Sequence, residues 1–428
     1  MLFFDRPQWG EKTLVVHVDV GANTPPLDEF QMLAQAAGAE VIHTIQTTRR
    51  AISAGYFIGE GKLEEIRIAV THHEIELVLF NAALTPVQQR NIERTVKARV
   101  VDRTGLILDI FAQRARTYEG KLQVELAQLE HLATRLVRGW THLERQRGGI
   151  GLRGPGETQL ESDRRVVRDR ITSLKRKLEK VKKQRTQSRQ SRQRAELPIV
   201  ALVGYTNVGK STLFNALTAS EVDARDQLFA TLDPTVARWS LPGMGTVILA
   251  DTVGFVTDLP HQLVAAFRAT LEEVLEADLI LHVVDAAAKD SETFALQKEA
   301  VLSVLSEMGA DEIPRLMVFN KIDVIDDERP HVENNEEGKV IAVWISAHQK
   351  IGLDLLTEAI PQRLKSRWIE TEIYLTPQEG KIRAQLYEAK VVLSETAIES
   401  DGWNLTIKMP LDQWHLLCSR NPELLKKS

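Results

Sequence analysis

The chain has 428 residues, of which 43% are hydrophobic and 26% charged, with 24 Gly and 15 Pro. This composition excludes a collagen-like, a disordered or a disulfide-stapled chain, and the length predicts about three domains. The single cysteine, Cys418, excludes an internal disulfide and a cysteine-based zinc cluster. The formal net charge of −5 gives no general reason to expect an anionic partner.

The positive charge is nevertheless concentrated in one segment. Residues 163–194 contain 14 Lys/Arg and 3 Asp/Glu, so the rest of the chain is acidic. This asymmetry is typical of contact with nucleic acid or another anionic surface. The apolar run at the start is too short for a signal peptide, and no stretch approaches the ~20 apolar residues of a membrane helix. We therefore expect a cytoplasmic, monomeric protein without a membrane span.

The N-terminal segment, residues 1–118, predicts an α/β domain. Short β-branched runs alternate with helical patterns from residue 13, which is typical of a mainly parallel sheet. The predicted strands, all expected to be buried, are Leu14–Val18, Val41–Ile45, Leu77–Phe80 and Arg99–Val101.

Residues 119–196 predict a long antiparallel helical hairpin with a glycine-rich tip and a basic linker. Apolar residues recur at heptad spacing on both sides of residues 148–157, whose glycines and proline break a helix. The first seam is Leu122, Leu126, Leu129, Ala133, Leu136, Trp140 and Leu143, and the second is Val167, Ile171, Leu174, Leu178 and Val181. The second seam runs along the basic segment, so this helix is expected to pack through its apolar residues while it displays the positive charge. We therefore favour a surface that recognises an anionic partner over a charged surface that is only solvated.

A strongly patterned α/β segment over 197–366 predicts a doubly wound, mainly parallel sheet, and residues 367–428 predict a small α+β domain. Within residues 197–366, the predicted strand Ile199–Val203 leads directly into the run Gly204-Tyr205-Thr206-Asn207-Val208-Gly209-Lys210-Ser211. This is the strand–GxxxxGK[ST]–helix pattern, whose backbone N–H groups surround phosphates. Lys210 is expected to reach the β- and γ-phosphates, and the Ser211 hydroxyl to bind Mg²⁺.

Three further motifs follow in a compatible order. Asp251-Thr252-Val253-Gly254 ends a strand, so Asp251 can hold a Mg²⁺-bound water and the Gly254 N–H can sense a γ-phosphate. In Asn320-Lys321-Ile322-Asp323, the Asp323 carboxylate matches the N1–H and exocyclic amine of guanine. The backbone N–H groups of Ser346-Ala347 follow another strand and are expected to meet guanine O6.

These motifs resemble the translation-factor-like class of GTPases, and within it the HflX family. The family-type runs are 58–62, 84–86 with 89–91, 102–112, 119–127, 151–161 and the switch run Phe229-Ala230-Thr231-Leu232-Asp233. The resemblance implies a P-loop GTPase domain in which Thr231 closes over Mg²⁺ and the γ-phosphate. It also implies a cytoplasmic enzyme that binds the large ribosomal subunit and, in some members, splits or rescues stalled ribosomes under stress.

The predicted site combines the motifs and the resemblance. The GTP-binding residues are Gly204, Tyr205, Thr206, Asn207, Val208, Gly209, Lys210, Ser211, Thr212, Phe229, Ala230, Thr231, Leu232, Asp233, Asp251, Thr252, Val253, Gly254, Asn320, Lys321, Ile322, Asp323, Ser346 and Ala347. Lys210, Thr231 and Gly254 are the catalytic residues, and Ser211, Thr231 and, through water, Asp251 are the metal residues. The predicted RNA contacts are Arg153, Lys175, Arg176, Lys182 and Lys183.

Two positions make the predicted hydrolysis unusual. Phe255 follows Gly254 where many GTPases carry a water-orienting Gln, and its side chain has no donor or acceptor, so we expect slow intrinsic turnover that a partner accelerates. His261 or a bridging water is the alternative. Asn207 either recruits K⁺ as an additional cation or only stabilises the loop.

Two other candidate sites are weaker. Gly59-Glu60-Gly61-Lys62 at a helix start could bind an anion or a second nucleotide, although a simple turn is favoured. The adjacent residues His72 and His73 are expected to face apart on a helix, which argues against a zinc site.

Three functional hypotheses follow from the sequence. The first is a GTPase whose nucleotide state is coupled to the basic hairpin. The second is an RNA-anchored binding module in which turnover is incidental. The third, an ATP-driven RNA remodeller, is disfavoured for the central site by Asp323 but stays open for the N-terminal layer.

Overall fold

The computed structural model describes most of the chain. The described residues are 10–21, 24–48, 53–138, 164–181, 183, 197–218, 228–229, 235–242, 244–257, 273–289, 291–365, 368–389, 391–398, 402–410, 414, 417–418, 421 and 424. Among them, no helix is long and apolar enough to cross a membrane. The predicted α/β class is confirmed, with three sheets in chain order.

The first sheet is four-stranded and parallel. Its elements are β1 (Lys12–Asp19), α1 (Leu27–Ala36), β2 (Glu40–Thr48), α2 (Glu60–His73), β3 (Leu77–Phe80), α3 (Pro86–Val96), β4 (Arg99–Asp102) and α4 (Arg103–Arg114). The strand order is β2-β1-β3-β4. Helix α3 begins at a capping box in which the Thr85 hydroxyl accepts from the Gln88 N–H and the Gln88 side chain accepts from the Thr85 N–H.

The prediction that Val41–Ile45 is a buried strand was wrong in its burial. These residues do form part of β2, but only Ile45 is buried, and Ile42 is 39% exposed. The reason is position, because β2 lies at the edge of this sheet and, among the described strands, pairs with β1 alone. An alternating β-branched pattern does not report how many neighbours a strand has.

The expected separation of His72 and His73 was also wrong. Both lie at the end of α2, where their ring centroids are 4.5 Å apart, and His73 stacks on His43 of β2 at 5.4 Å. Successive helical side chains diverge by only about 100°, so two rings can still meet at their edges, and His73 reaches His43 because α2 packs beside β2. In the described part of the chain, no group of three His, Cys, Asp or Glu side chains could hold a metal ion.

Two helices carry the predicted seams. They are α5 (Tyr118–Arg138) and α6 (residues 164–181). Val167 and Leu174 of α6 are buried with Leu122, Leu126 and Leu129 of α5. Ion pairs join Glu125 to Arg170 at 2.6 Å and Glu130 to Lys175 at 2.9 Å. The predicted glycine-rich tip and Trp140, Leu143 lie outside the described residues, so the hairpin connection stays a prediction.

The central sheet has seven strands in the order β10-β11-β9-β8-β5-β7-β6. The elements are β5 (Ile199–Gly204), α7 (Lys210–Thr218), β6 (Thr235–Leu241), β7 (Gly245–Asp251), β8 (Leu279–Asp285), α8 (Glu292–Met308), β9 (Arg315–Asn320), β10 (His331–Asn334), β11 (Val340–Trp344) and α9 (Leu353–Lys365). Strands β6 and β10 are antiparallel to their neighbours, and the other five are parallel. The carboxyl ends of these parallel strands therefore meet along one edge.

A small third sheet follows. It consists of β12 (Trp368–Leu375), β13 (Val392–Ile398) and β14 (Gly402–Pro410), with β14 in the middle and α10 (Gly380–Glu388) preceding β13. Its core includes Ile373, Leu386 and Leu405. Most of the helix predicted from Leu411 lies outside the described residues.

The N-terminal and central sheets share one apolar core. Phe30 and Phe111 from the N-terminal layer belong to the same buried cluster as Phe214 and Phe229. The Phe111 and Phe229 rings meet edge to face with centroids 4.5 Å apart. Helix α4 therefore packs directly against the start of the predicted switch run.

Candidate nucleotide-binding and hydrolysis site

The phosphate loop connects buried strand β5 to α7 in a conformation that needs two left-handed residues, Asn207 at φ 62° and Gly209 at φ 88°. A Cβ at Gly209 would lie 2.3 Å from Asn320 Nδ2. Only glycine combines this φ with such a close approach. The loop is thus held against the strand that carries the Asn320 motif.

Lys210 is a buried cation at the start of α7. Its ammonium group donates to the carbonyls of Gly204, at 3.1 Å, and of Tyr205, at 2.7 Å. Burial lowers the pKa of Lys210 to about 8, with the Asp251 carboxylate acting in the opposite direction. An anionic phosphate beside this ammonium would favour its charged form.

Two of the three predicted metal residues, Ser211 and Asp251, meet between α7 and the end of β7. Ser211 Oγ donates to Asp251 Oδ2 at 2.6 Å, and Asp251 is fully buried. A hydroxyl and a carboxylate are the hard oxygen donors that Mg²⁺ prefers, so this pair fits the ion. Thr231, with Ala230, Leu232 and Asp233, lies outside the described residues.

The segment after Asp251 packs onto the phosphate loop. The Phe255 N–H donates to the Gly204 carbonyl at 3.2 Å, and the Thr206 N–H donates to the Phe255 carbonyl at 2.8 Å. A Cβ at Gly254 would lie 2.8 Å from Thr206 Cγ2, so only glycine permits this approach. The Phe255 side chain is buried in the apolar core, 2% exposed, while His261 lies outside the described residues.

The Asn320 side chain joins the loops of the predicted base site. Its Nδ2 donates to the Val208 carbonyl at 2.8 Å, and its Oδ1 accepts from the Ala347 N–H at 2.9 Å. Lys321 pairs with Asp285 at 2.9 Å. Asp323 follows in a short 3-10 turn with its carboxylate exposed, and an exposed carboxylate is accessible to the donors of a guanine ring.

The amide groups assigned to guanine O6 bond within the protein. The Ala347 N–H donates to Asn320, and the Ser346 N–H donates to the Ile351 carbonyl at 3.0 Å. The Ser346–Ala347 loop is therefore placed by Asn320, and a contact between its amides and guanine O6 stays a prediction.

His282 was not predicted from the sequence. This buried residue lies in the middle of β8, and the carboxyl end of that strand borders the site. Burial, together with the nearby cations Lys298, Arg315 and Lys210, lowers the pKa of His282 to about 4. Its Nε2 has no hydrogen-bond partner among the described residues. A polar residue inside the otherwise apolar strand Leu279–Asp285 was the available signal.

Sequence reasoning also missed the surroundings of the Tyr205 hydroxyl. It bonds to Glu29 of α1, and Glu29 in turn pairs with Arg103 at the start of α4. Burial and the Glu29 carboxylate raise the pKa of Tyr205. No local pattern marks Glu29 or Arg103, because α1 and α4 each contain other charged residues and the partners are far apart in sequence.

The predicted RNA contacts are only partly described. Lys175, Arg176 and Lys183 are exposed on the basic helical segment, and Lys175 pairs with Glu130 of α5. Arg153 and Lys182 lie outside the described residues. Of the predicted contacts that the structure describes, Lys175, Arg176 and Lys183, none lies in the nucleotide site.

A phosphate loop after a central parallel strand, a DxxG segment beside it and an Asn-Lys-x-Asp turn on a parallel strand of the same sheet define a P-loop GTPase. Three family models match the chain. They are described as GTP-binding GTPase N-terminal at residues 25–112, GTP-binding GTPase Middle Region at 114–192, and 50S ribosome-binding GTPase at 199–321.

Individual relatives agree with these models. GTPase HflX of Escherichia coli is 52% identical over 425 residues, covering 99% of both chains. GTPase HflX of Magnetococcus marinus is 48% identical over 369 residues, covering 86% of this chain and 84% of the relative. The solved structure described as the SsGBP and GDP complex has a TM-score of 0.47 at 26% identity, covering 83% of this chain and 99% of that chain.

The chain belongs to the HflX GTPase family, and its reaction is the hydrolysis of GTP. The predicted family and enzyme class are thereby confirmed.

Proposed function

We propose that the chain is a magnesium-dependent GTPase that binds the large ribosomal subunit in a nucleotide-gated way and splits or rescues stalled ribosomes under stress. The observation that carries the proposal is helix α6, whose apolar stripe packs on α5 while its cationic side chains other than Arg164 stay exposed. The family that matches residues 199–321 is described as 50S ribosome-binding GTPase, which supports the same partner.

The geometry of α6 favours an RNA backbone as its ligand. At 3.6 residues per turn, four exposed cations fall on the face opposite Val167 and Leu174. They form the basic ridge, which consists of Arg165, Arg176, Lys180 and Lys183. Such a ridge suits phosphates, because A-form RNA is recognised mainly through its backbone and shape.

A physical route connects this helix to the nucleotide site. Helix α6 packs on α5, and Arg135 of α5 donates to Asp102 at 2.9 Å. Asp102 caps α4, because its Oδ1 accepts from the Gly105 N–H at 2.9 Å. Further along α4, Phe111 contacts Phe229. Ribosome contact at the helices and nucleotide contact at the switch run would therefore bias the same element, α4.

For the hydrolysis step, the chain's own groups hold and orient the phosphates. Lys210 would stabilise negative charge on the β- and γ-phosphates, and the Gly254 N–H would contact the γ-phosphate. Ser211 and, through water, Asp251 would hold Mg²⁺, with Thr231 completing the site. The bound ion supplies positive charge to the phosphate oxygens.

Single-turnover hydrolysis tests this proposal. We expect slow GTP hydrolysis by the chain alone and a large acceleration at saturating large ribosomal subunits, because Phe255 cannot orient water. The same assay with KCl in place of NaCl tests K⁺, whose effect should disappear in Asn207→Ala. Unchanged rates with subunits would contradict partner activation and favour an RNA-anchored module with incidental turnover.

A further inference from the structure

The Tyr205 hydroxyl links the phosphate loop to the DxxG segment and to the N-terminal domain. It donates to Glu29, accepts from the Thr257 N–H at 2.7 Å, and lies 2.6 Å from Thr257 Oγ1. Tyr205 is 4% exposed. A phosphate-loop side chain thereby holds the backbone three residues beyond Gly254.

Arg103 holds the same residue from the N-terminal domain. Its guanidinium donates to the Thr257 carbonyl at 2.9 Å, to Asn81 Oδ1 at 3.0 Å and to Glu29. The Arg103 and Glu29 side chains are 4% and 8% exposed. Tyr205 therefore fixes the N–H of Thr257, and Arg103 fixes its carbonyl. Because the surrounding side chains are buried, the loss of either hydrogen-bond partner is costly.

This arrangement fixes the segment between Gly254 and Thr257 against the loop. The Thr206 N–H, a phosphate-loop donor, is bonded to the Phe255 carbonyl at 2.8 Å. A Cβ at Gly254 would lie 3.0 Å from Lys210 Nζ. A γ-phosphate must contact both the Lys210 ammonium and the Gly254 N–H, so it requires space that this segment fills.

A diphosphate needs less space beside this segment, because it ends at the β-phosphate. Only the triphosphate has to displace the segment from Thr206 and Lys210. Any bond that holds Thr257 in place should therefore oppose GTP more strongly than GDP.

We propose that Glu29, Arg103, Tyr205 and Thr257 form an interdomain clasp that opposes γ-phosphate binding, with Tyr205 as a positioning residue that acts through Thr257. The proposal goes beyond the family's GTP hydrolysis by assigning nucleotide discrimination to a contact with the N-terminal domain. Because coupling between two sites is reciprocal, GTP binding weakens the clasp. It thereby loosens the contact of α1 and α4 with the segment between Gly254 and Thr257.

The test is the ratio of affinities for Mg²⁺–guanosine 5′-(β,γ-imido)triphosphate and GDP in the full-length chain. Tyr205→Phe keeps the ring and removes the hydroxyl. We expect the ratio to shift toward the triphosphate by about fivefold, as for the loss of one hydrogen bond. Tyr374→Phe removes a hydroxyl in the third sheet and should leave the ratio within about twofold of the wild type.

Three outcomes for Tyr205→Phe would overturn the clasp. An equal weakening of both nucleotides would mean that the hydroxyl only shapes the loop, and a selective loss of triphosphate affinity would mean that it prepares the site for the γ-phosphate. Wild-type affinities for both nucleotides would overturn the clasp as well, because the hydroxyl would then have no effect on nucleotide binding.

A second measurement needs no variant. Hydrogen exchange at the Thr257 amide should be slow with GDP and become at least about tenfold faster with the imido-triphosphate, because the bond to Tyr205 opens. Equal protection with both nucleotides would overturn the proposal even if Tyr205→Phe failed to fold.

Discussion

Asp323 is the residue on which the base preference of the site depends. We expect Asp323→Asn to reduce GTP affinity by roughly two orders of magnitude, because one acceptor oxygen becomes a donor that faces guanine's own donors. Xanthine nucleotides, which present an acceptor at that position, should gain affinity. Equilibrium titration with GDP and xanthosine diphosphate measures both effects.

A nearby carboxylate provides the control for this substitution. Asp326 is also exposed and lies just beyond the motif, so Asp326→Asn should change neither affinity. Equal GDP affinity in Asp323→Asn and the wild type would show that Asp323 does not contact the base.

Lys210 should make nucleotide binding depend on pH. Its pKa is lowered to about 8 by burial, and the phosphates of a bound nucleotide raise it again. Binding above pH 8 therefore takes up a proton, so GDP affinity should be flat below pH 8 and fall by up to about tenfold per pH unit above it. Titrations between pH 7 and 9.5 measure the slope.

Lys210→Arg tests the origin of that slope, because a guanidinium stays charged throughout this range. The variant should bind more weakly and lose the pH dependence. If its affinity fell with pH as steeply as that of the wild type, Lys210 would not be the titrating group.

The individual residues differ in how far the sequence could predict them. Lys210, Asp251 and Asp323 follow directly from strand-end motifs, because each motif is local and its spacing has a chemical reason. Glu29 and Arg103 could not be predicted, since they meet Tyr205 only after two sheets have packed together. His282 was visible only as a polar residue in an apolar strand.

At the scale of elements, α6 is expected to carry the ribosome contact. Replacing Arg176, Lys180 and Lys183 by Glu should weaken binding to large subunits and flatten the slope of log affinity against log salt by about two to three. GTP affinity should change little, since the ridge lies outside the nucleotide motifs. Sedimentation with subunits at several salt concentrations measures the slope.

A charge-matched variant separates the ridge from net charge. Lys298, Lys339 and Lys381 are exposed on other parts of the molecule, and their replacement by Glu should leave the salt slope within about 0.5 of the wild type. If both triple variants bound equally, α6 would be a solvated scaffold.

Which segments form helices and strands could be predicted better than what packs around each of them. The two heptad seams predicted both α5 and α6, because the apolar period depends only on the sequence within one helix. The burial of β2 was predicted wrongly, since it depends on how many strands lie beside it. The contact of His73 with His43 depends on how α2 packs beside β2, which the helical period alone does not contain.

At the scale of the whole molecule, the order of layers could be predicted from the chain, but their packing could not. The shared core that joins Phe30 and Phe111 to Phe214 and Phe229 depends on the fit of surfaces from distant segments. Through that core, Phe229 at the start of the switch run packs directly on Phe111 of the N-terminal layer, which gives nucleotide-gated binding a physical route.

In the proposed function, GTP controls binding to the large ribosomal subunit. The most direct test of this control is the affinity of the full-length chain for large subunits at one salt concentration, measured with Mg²⁺–guanosine 5′-(β,γ-imido)triphosphate, with Mg²⁺–GDP and without nucleotide. We expect binding at least about tenfold tighter with the triphosphate than with GDP, within the usual range of coupling between two sites. Equal affinities in all three conditions would contradict nucleotide gating.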